Sequence, residues 1–148
     1  MTGANFLLEI DGRKILIDCG LTQGEKSEDD VNWEPFVYDP KEIDSLFVTH
    51  AHVDHLGRIP KLIHEGFRGK IYSTEPTKAL ALPMLEDTVG ILNKNADLGL
   101  DKIYTEESIK LVLTLWQGFI YHQTIKITEN VEVAFYDAGH ILGSAMIE

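Results

Sequence analysis

The chain has 148 residues, 44% of them hydrophobic and 25% charged, one domain's worth of globular sequence with enough apolar side chain to bury a core. No apolar run is long enough to cross a membrane, and the start lacks the basic-then-apolar pattern of a secretory signal. A single cysteine excludes an internal disulfide and fits a reducing cytoplasm. The net charge of −11 opposes a nucleic-acid binder that works through basic patches alone, because phosphate binding draws on clustered Lys and Arg.

In chain order, Asn5–Ile10 predicts a strand, Asp11-Gly12 a hairpin turn, and Lys14–Asp18 the returning strand. Asp18 closes that apolar run; by residue type alone it is an Asx turn. Cys19 reads as a small packed residue rather than a nucleophile. Residues 23–40 are polar and acidic, with Glu25, Glu28, Asp29 and Asp30 close together. They predict a surface loop anchored by Trp33 and Phe36. Ile43–Val48 is short and apolar, a buried strand. A helix follows from about Leu56 to Gly66, with Pro60 tolerated in its first turn. Gly69–Thr74 is a short strand. Residues 74–94 carry Leu80, Met84, Leu85, Val89 and Leu92 at helical spacing, a core-facing helix with Pro83 as a kink. Residues 95–102 form a loop containing Gly99. Thr105 is an N-cap with Ser108 in the capping-box position. Ile109, Val112, Leu113 and Trp116 are the apolar face of that helix, which Gly118 ends. Residues 124–128 and 131–136 alternate as two strands about a Glu129-Asn130 turn. The second delivers Asp137-Ala138-Gly139-His140. No repeat or low-complexity segment interrupts the chain.

The stretch Thr49-His50-Ala51-His52-Val53-Asp54-His55 carries the chemistry. It holds three of the chain's six histidines, at the end of a strand and before a helix, where α/β proteins build sites. His50 and His52 are two apart, and Asp54 follows at the same interval. An irregular loop can turn His50 and His52 toward one ion, and Asp54 and His55 toward another. Imidazole nitrogen with carboxylate oxygen suits zinc, and less selectively iron or manganese. Two ions about 3.5–4 Å apart would make a two-metal hydrolase site. A structural zinc would draw on cysteines, and only Cys19 is available. The alternative is a polar surface loop that happens to be rich in histidine. A loop between two apolar segments, however, gives three imidazoles and an aspartate no packing role. His64 and His122 stand alone and read as surface or packing residues.

His50-x-His52-x-Asp54-His55 resembles the HxHxDH motif of the metallo-β-lactamase superfamily. The flanks Asp18-Cys19-Gly20 with Gln23-Gly24, Gly57-Arg58-Ile59-Pro60, and Asp137 to Ala145 resemble the RNA-processing β-CASP branch, and the similarity runs from Gly3 to Ala145. That branch includes the cleavage and polyadenylation endonuclease and related prokaryotic ribonucleases. The resemblance implies an α/β fold: a metallo-β-lactamase-like αββα sandwich, of which this chain supplies roughly the first half, a mixed sheet flanked by helices. Residues 1–148 are then a partial domain, lacking the first strand and the second half.

The same resemblance implies roles. His140 joins His50 and His52 on one ion. Asp54 and His55 serve the other, with Asp54 also orienting the attacking water. Asp18 supports the metal loop by hydrogen bonding, and Gly143-Ser144-Ala145 lets backbone pass close to the site. The cofactor is Zn2+, two per complete site. One or fewer is held firmly by this chain, because a bridging aspartate and a further histidine lie downstream in the family. The chain alone is therefore expected to be catalytically poor. The partner is RNA; bound cations would offset the acidity, and the family's second domain also contacts substrate. An exposed sheet edge invites a homodimer. The expected function is a cytoplasmic zinc-dependent ribonuclease that hydrolyses phosphodiesters in RNA processing or decay. Two alternatives stand beside it: an ester, thioester or lactam hydrolase on the same scaffold, and a non-catalytic subunit of an RNA-processing complex.

Overall fold

The structure is a computed structural model and describes residues 3–22, 30–92 and 103–148. Strands β1 (Phe6–Ile10) and β2 (Arg13–Ile17) form an antiparallel hairpin with Phe6 opposite Ile17. Its turn is Asp11-Gly12, both left-handed at φ 49° and 71°, the backbone that a two-residue hairpin needs to match strand twist. Strands β3 (Ser45–Phe47), β4 (Lys70–Thr74) and β5 (Trp116–Phe119) then add in parallel. The result is a five-stranded mixed sheet in the order β1-β2-β3-β4-β5.

The two-residue period of the strands divides the core into two layers. Leu16 and Leu46 point to one face, into a cluster with Leu56, Ile59, Leu62, Ile71, Leu85 and Val112 from the helices. Ile15 and Phe47 point to the other, where they meet Ile125, Val133, Phe135 and Ala145. That second layer is made of two small antiparallel pairs, β6 (Ile125–Lys126) with β7 (Glu132–Val133), and β8 (Phe135–Asp137) with β9 (Ala145–Ile147). Helices thus cover one face and strands the other, a mixed sheet with the layering expected of the first half of an αββα sandwich.

Among the described residues four α-helices lie on the first face: α1 (Val53–Leu56), α2 (Ile59–His64), α3 (Glu75–Leu92) and α4 (Glu106–Leu115). The single helix expected from Leu56 to Gly66 is two pieces, and the first begins inside the histidine stretch. The break has a cause in hydrogen bonding. Arg58 N donates to Cys19 O at 2.9 Å, while Asp54 O accepts from Ala4 N at 2.8 Å. The bond that would continue α1 through residue 58 is therefore replaced at both ends. Helix α4 starts on the expected capping box of Thr105 and Ser108. It ends at Leu115 rather than Gly118, because Trp116–Phe119 pairs with β4 instead. The buried Trp116 donates its Nε1–H to Ser73 Oγ at 2.8 Å. Gly118 serves that strand: a Cβ there would sit 2.6 Å from the Glu75 carboxylate carbon.

Helix α3 runs on through Pro83. Its core positions are Thr77, Ala81, Leu85 and Thr88, all buried; of the expected apolar face Leu85 is in the core, Met84 packs against it in part and Leu80 does not. Leu80 is 36% exposed and Met84 half-buried; both face the histidines. The side chains of Val89 and Leu92 lie outside the described residues, as do residues 95–102 and the acidic run Glu25, Glu28 and Asp29. Trp33 and Phe36 anchor their loop as expected. Trp33 meets Tyr104 edge-on, and Phe36 stacks on Tyr38 with Lys61 Nζ 4.1 Å from its ring centroid. The strand expected over 131–136 is split at Ala134, which exchanges backbone bonds with Glu148. Strand β9 was not expected. Among the described residues no helix is long and apolar enough to cross a membrane.

Candidate metal centre

Parallel strands end side by side, and three ends meet here. After β2 the chain turns through Asp18, left-handed at φ 60° and buried. After β3 it turns through Thr49 and His50. The two turns are tied together: Asp18 N donates to Phe47 O, Thr49 N to Asp18 Oδ1 and Thr49 Oγ1 to Asp18 Oδ2, each at 2.8 Å. Asp18 therefore does more than cap its own strand, as an Asx turn would. Gly20 lets the next segment approach. A Cβ there would lie 1.6 Å from Asp54 O, so only glycine permits the close passage of these loops.

Hydrogen bonds assign the imidazole tautomers. His55 Nδ1 donates to Asp18 Oδ2 at 2.7 Å, leaving Nε2 with a free lone pair. His50 Nδ1 lies 3.0 Å from Thr49 Oγ1, whose own proton goes to Asp18. The hydroxyl oxygen thus accepts from His50, and His50 Nε2 is bare as well. A carboxylate behind an imidazole is the usual means of orienting a metal ligand.

His140 arrives on the β8–β9 connection. Asp137 Oδ1 accepts from Gly139 N at 2.8 Å. The buried Ser144 Oγ accepts from His140 N at 3.0 Å and Ile141 N at 3.2 Å. Gly143 O accepts from the hydroxyls of Thr74 at 2.6 Å and Thr77 at 2.9 Å, at the start of α3. Gly143 has φ 81°, and a Cβ there would be 2.7 Å from Thr77 N. Gly143 itself permits close passage against the start of α3, while the expected approach of this segment to the site is made by Ala145. Ala145 N completes the seat by donating to Thr49 O at 2.9 Å.

With these constraints His50 Nε2 lies 3.1 Å from His52 Nδ1, and His140 Nε2 lies 3.3 Å from the same atom. The donor atoms of His50, His52 and His140 are all within 4.8 Å of one another. Nitrogens bound to one tetrahedral zinc at about 2.0–2.1 Å would stand roughly 3.3–3.4 Å apart, so the set fits a metal ion. Burial, helped by the neighbouring His55 and His52, pushes the His50 pKa down to about 4. His50 is therefore neutral at ordinary pH, the form that binds metal. The bond to Asp18 raises the pKa of His55. Asp54 Oδ2 stands 3.9 Å from His55 Nε2, a second pair of donors beside the first three. All five side chains line one cavity of about 400 Å³, with Val53 and Met84.

His64 and His122 are exposed and apart from the cluster; the His122 ring lies edge-on to Tyr136. Cys19 is buried, which pushes its thiol up to about 12. Thr49, Thr74 and Thr77 were given no role from sequence, and Ser144 none as a hydrogen-bonding side chain. Thr49 stood in the motif stretch and could have been found there. Thr74 at the end of β4 and Thr77 in α3 meet Gly143 only in the folded chain.

The comparisons with known proteins agree with this architecture. The chain is 37% identical over 147 residues to ribonuclease TTHA0252 of Thermus thermophilus, covering 99% of this chain and 32% of that protein. It is 34% identical over 146 residues to the transcription termination factor FttA of Methanosarcina mazei, covering 95% of this chain and 22% of that one. It thus spans about a third or less of the length of these relatives. Among solved structures, a flavo di-iron protein from Thermotoga maritima superposes with a TM-score of 0.58 at 18% identity, covering 96% of this chain and 29% of that one, a likeness of fold. The description of the metallo-β-lactamase superfamily domain matches residues 7–147, and the chain belongs to that superfamily.

Proposed function

We propose that this chain carries the metal-binding part of a zinc-dependent ribonuclease that hydrolyses phosphodiester bonds in RNA processing or decay. One observation carries the reading. Three imidazole nitrogens converge from segments far apart in sequence, and an Asp54–His55–Asp18 series stands beside them. The named relatives, a ribonuclease and a termination factor, support RNA as the substrate. His50, His52 and His140 would hold one zinc ion, and Asp54 and His55 would contribute to a second. Zinc, when bound, supplies a Lewis acid for a phosphoryl oxygen and lowers the pKa of water. The chain's own part is orientation and proton handling. Asp18 and Thr49 hold the tautomers of His55 and His50, and Asp54 orients the attacking water and takes its proton. The oxygen so freed attacks phosphorus as the ribose oxygen leaves.

On this reading residues 1–148 are part of a metallo-β-lactamase-like domain. The 148-residue chain alone holds one zinc ion or fewer firmly and is catalytically poor. The buried, single Cys19 suits the cytoplasm. The outer edge of β1, with Phe6 64% and Leu8 44% exposed, is the seat of a homodimer contact. A small-molecule ester or thioester hydrolase is the second reading. The net charge of −11 favours it, as does a cavity lined by no Lys or Arg among the described residues. The test is cleavage of end-labelled single-stranded RNA by the protein as its gene encodes it, with and without a chelator. Chelator-sensitive cleavage that His55→Ala abolishes is the expected result. No cleavage at full zinc occupancy would transfer the reading to the ester substrate.

A further inference from the structure

Helix α3 presents two different faces. Thr77, Ala81, Leu85 and Thr88 close against the core. Leu80, Pro83, Met84 and Asp87, at i, i+3, i+4 and i+7, form a second stripe beside His52. With Ile141 from the His140 loop, this stripe bounds a trough of about 280 Å³. The trough adjoins the metal cavity, with which it shares His52 and Met84 as walls. Leu80, Pro83 and Ile141 belong to neither core cluster nor to the donor set, and Met84 packs against the core only in part. Leu80 and Pro83 stand beside the histidines without a place in the core.

Resting on the phosphodiesterase reading, we infer that this stripe seats the nucleobase adjoining the scissile phosphate. Continuity and charge select the occupant. A phosphate lodged among the histidines places its own nucleotide against whichever wall adjoins that cavity, and the trough adjoins it through His52 and Met84. Among the described residues the charged group lining the trough is the Asp87 carboxylate, which repels a second phosphate, so the trough does not suit the backbone. A base is uncharged, flat and apolar on both faces. The Met84 thioether makes favourable contacts with aromatic rings. Leu80, Pro83 and Ile141 supply the apolar surface with which ligand sites cover a ring.

The test titrates the zinc-loaded protein, as its gene encodes it, by isothermal calorimetry with adenosine 5′-monophosphate, ribose 5-phosphate and inorganic phosphate. Native protein is compared with Leu80→Gln and Pro83→Gln, two residues that line the trough but not the metal cavity. Leu80 is partly exposed, so its replacement spares the core; unchanged zinc stoichiometry and far-ultraviolet dichroism qualify both variants. Adenosine 5′-monophosphate should bind the native chain about tenfold more tightly than ribose 5-phosphate, the scale of one stacked base. Each substitution should remove most of that margin and leave the affinity for inorganic phosphate unchanged. A margin that survives both substitutions overturns the inference while the phosphodiesterase reading stands, because the base then sits elsewhere. No margin on the native chain, with phosphate still bound, overturns both.

Discussion

Gly20 and Asp54 show how little freedom single residues have at this centre. The backbone carbonyl of Asp54 would lie inside the van der Waals radius of any β-carbon at residue 20. Gly20→Ala must push α1 away from β2, and with it Asp54 and His55. We expect a loss of more than about 3 kcal/mol or a failure to fold, the range of severe backbone and packing defects, read by urea denaturation followed by dichroism. Asp18→Asn is a gentler probe, since the amide keeps the size of the carboxylate and its contact with Thr49. It removes the charge that fixes the His55 tautomer, and zinc affinity should fall about 10- to 100-fold, the usual effect of losing such a partner. Competition with a chromogenic chelator measures it. An unchanged affinity would mean that Asp18 serves only the strand end. The residues of the histidine stretch were legible because they are contiguous and because that spacing has little use other than metal binding. Asp18 was not legible by type: its function lies in bonds to Thr49 and His55, 31 and 37 residues away.

Among the elements, the start of α3 acts on the metal centre without touching it. The hydroxyls of Thr74 and Thr77 hold Gly143 O, and Ser144 Oγ holds the backbone of His140 and Ile141. Thr77→Val keeps the shape and the helix but removes a donor from a buried carbonyl, which costs about 1–3 kcal/mol. The defect falls on the loop that presents His140. Cobalt absorption of the chain should therefore weaken or change, whereas Thr77→Ser should restore it. A cobalt spectrum identical to native for the valine variant would leave the clasp without influence on the ligand. The same helix shows where sequence periodicity misleads. Leu80, Met84 and Leu85 recur at a spacing that promises one core face, but α3 has two faces with different tasks, and only packing distinguishes them. Strands β5 and β9 escaped notice for a related reason. Trp116–Phe119 continues an apolar helical pattern, and its partner β4 lies more than 40 residues upstream (Ile71 pairs with Trp116). The break at Arg58 likewise depends on a donor bond to Cys19 O that no local pattern announces.

At the scale of the molecule, the layering was expected from the family resemblance and not from the strands themselves; in the structure Ile15 and Leu16, like Phe47 and Leu46, go to opposite faces. The sheet has two edges, and β1 is the exposed one with Phe6, Leu7, Leu8 and Ile10 all outside the core. Strand edges of this character pair with other chains. The 148-residue chain should therefore show concentration-dependent self-association in sedimentation velocity, and Leu8→Lys should return it to the monomer without altering zinc content. A native chain that stays monomeric at high concentration would remove the homodimer from consideration.

The distance His140 travels to meet His52 has a thermodynamic side. The two residues are 88 apart in the chain, so an ion shared between them closes a large loop, as a cross-link would. In the chain-entropy treatment of cross-links, a loop of that size corresponds to about 4–5 kcal/mol of restriction removed from the unfolded ensemble. Zinc would then act as a reversible staple between the helical layer and the small strand layer. Cellular metal supply would govern how long the protein survives as well as whether it can react, because a chain without the staple opens more often to proteolysis.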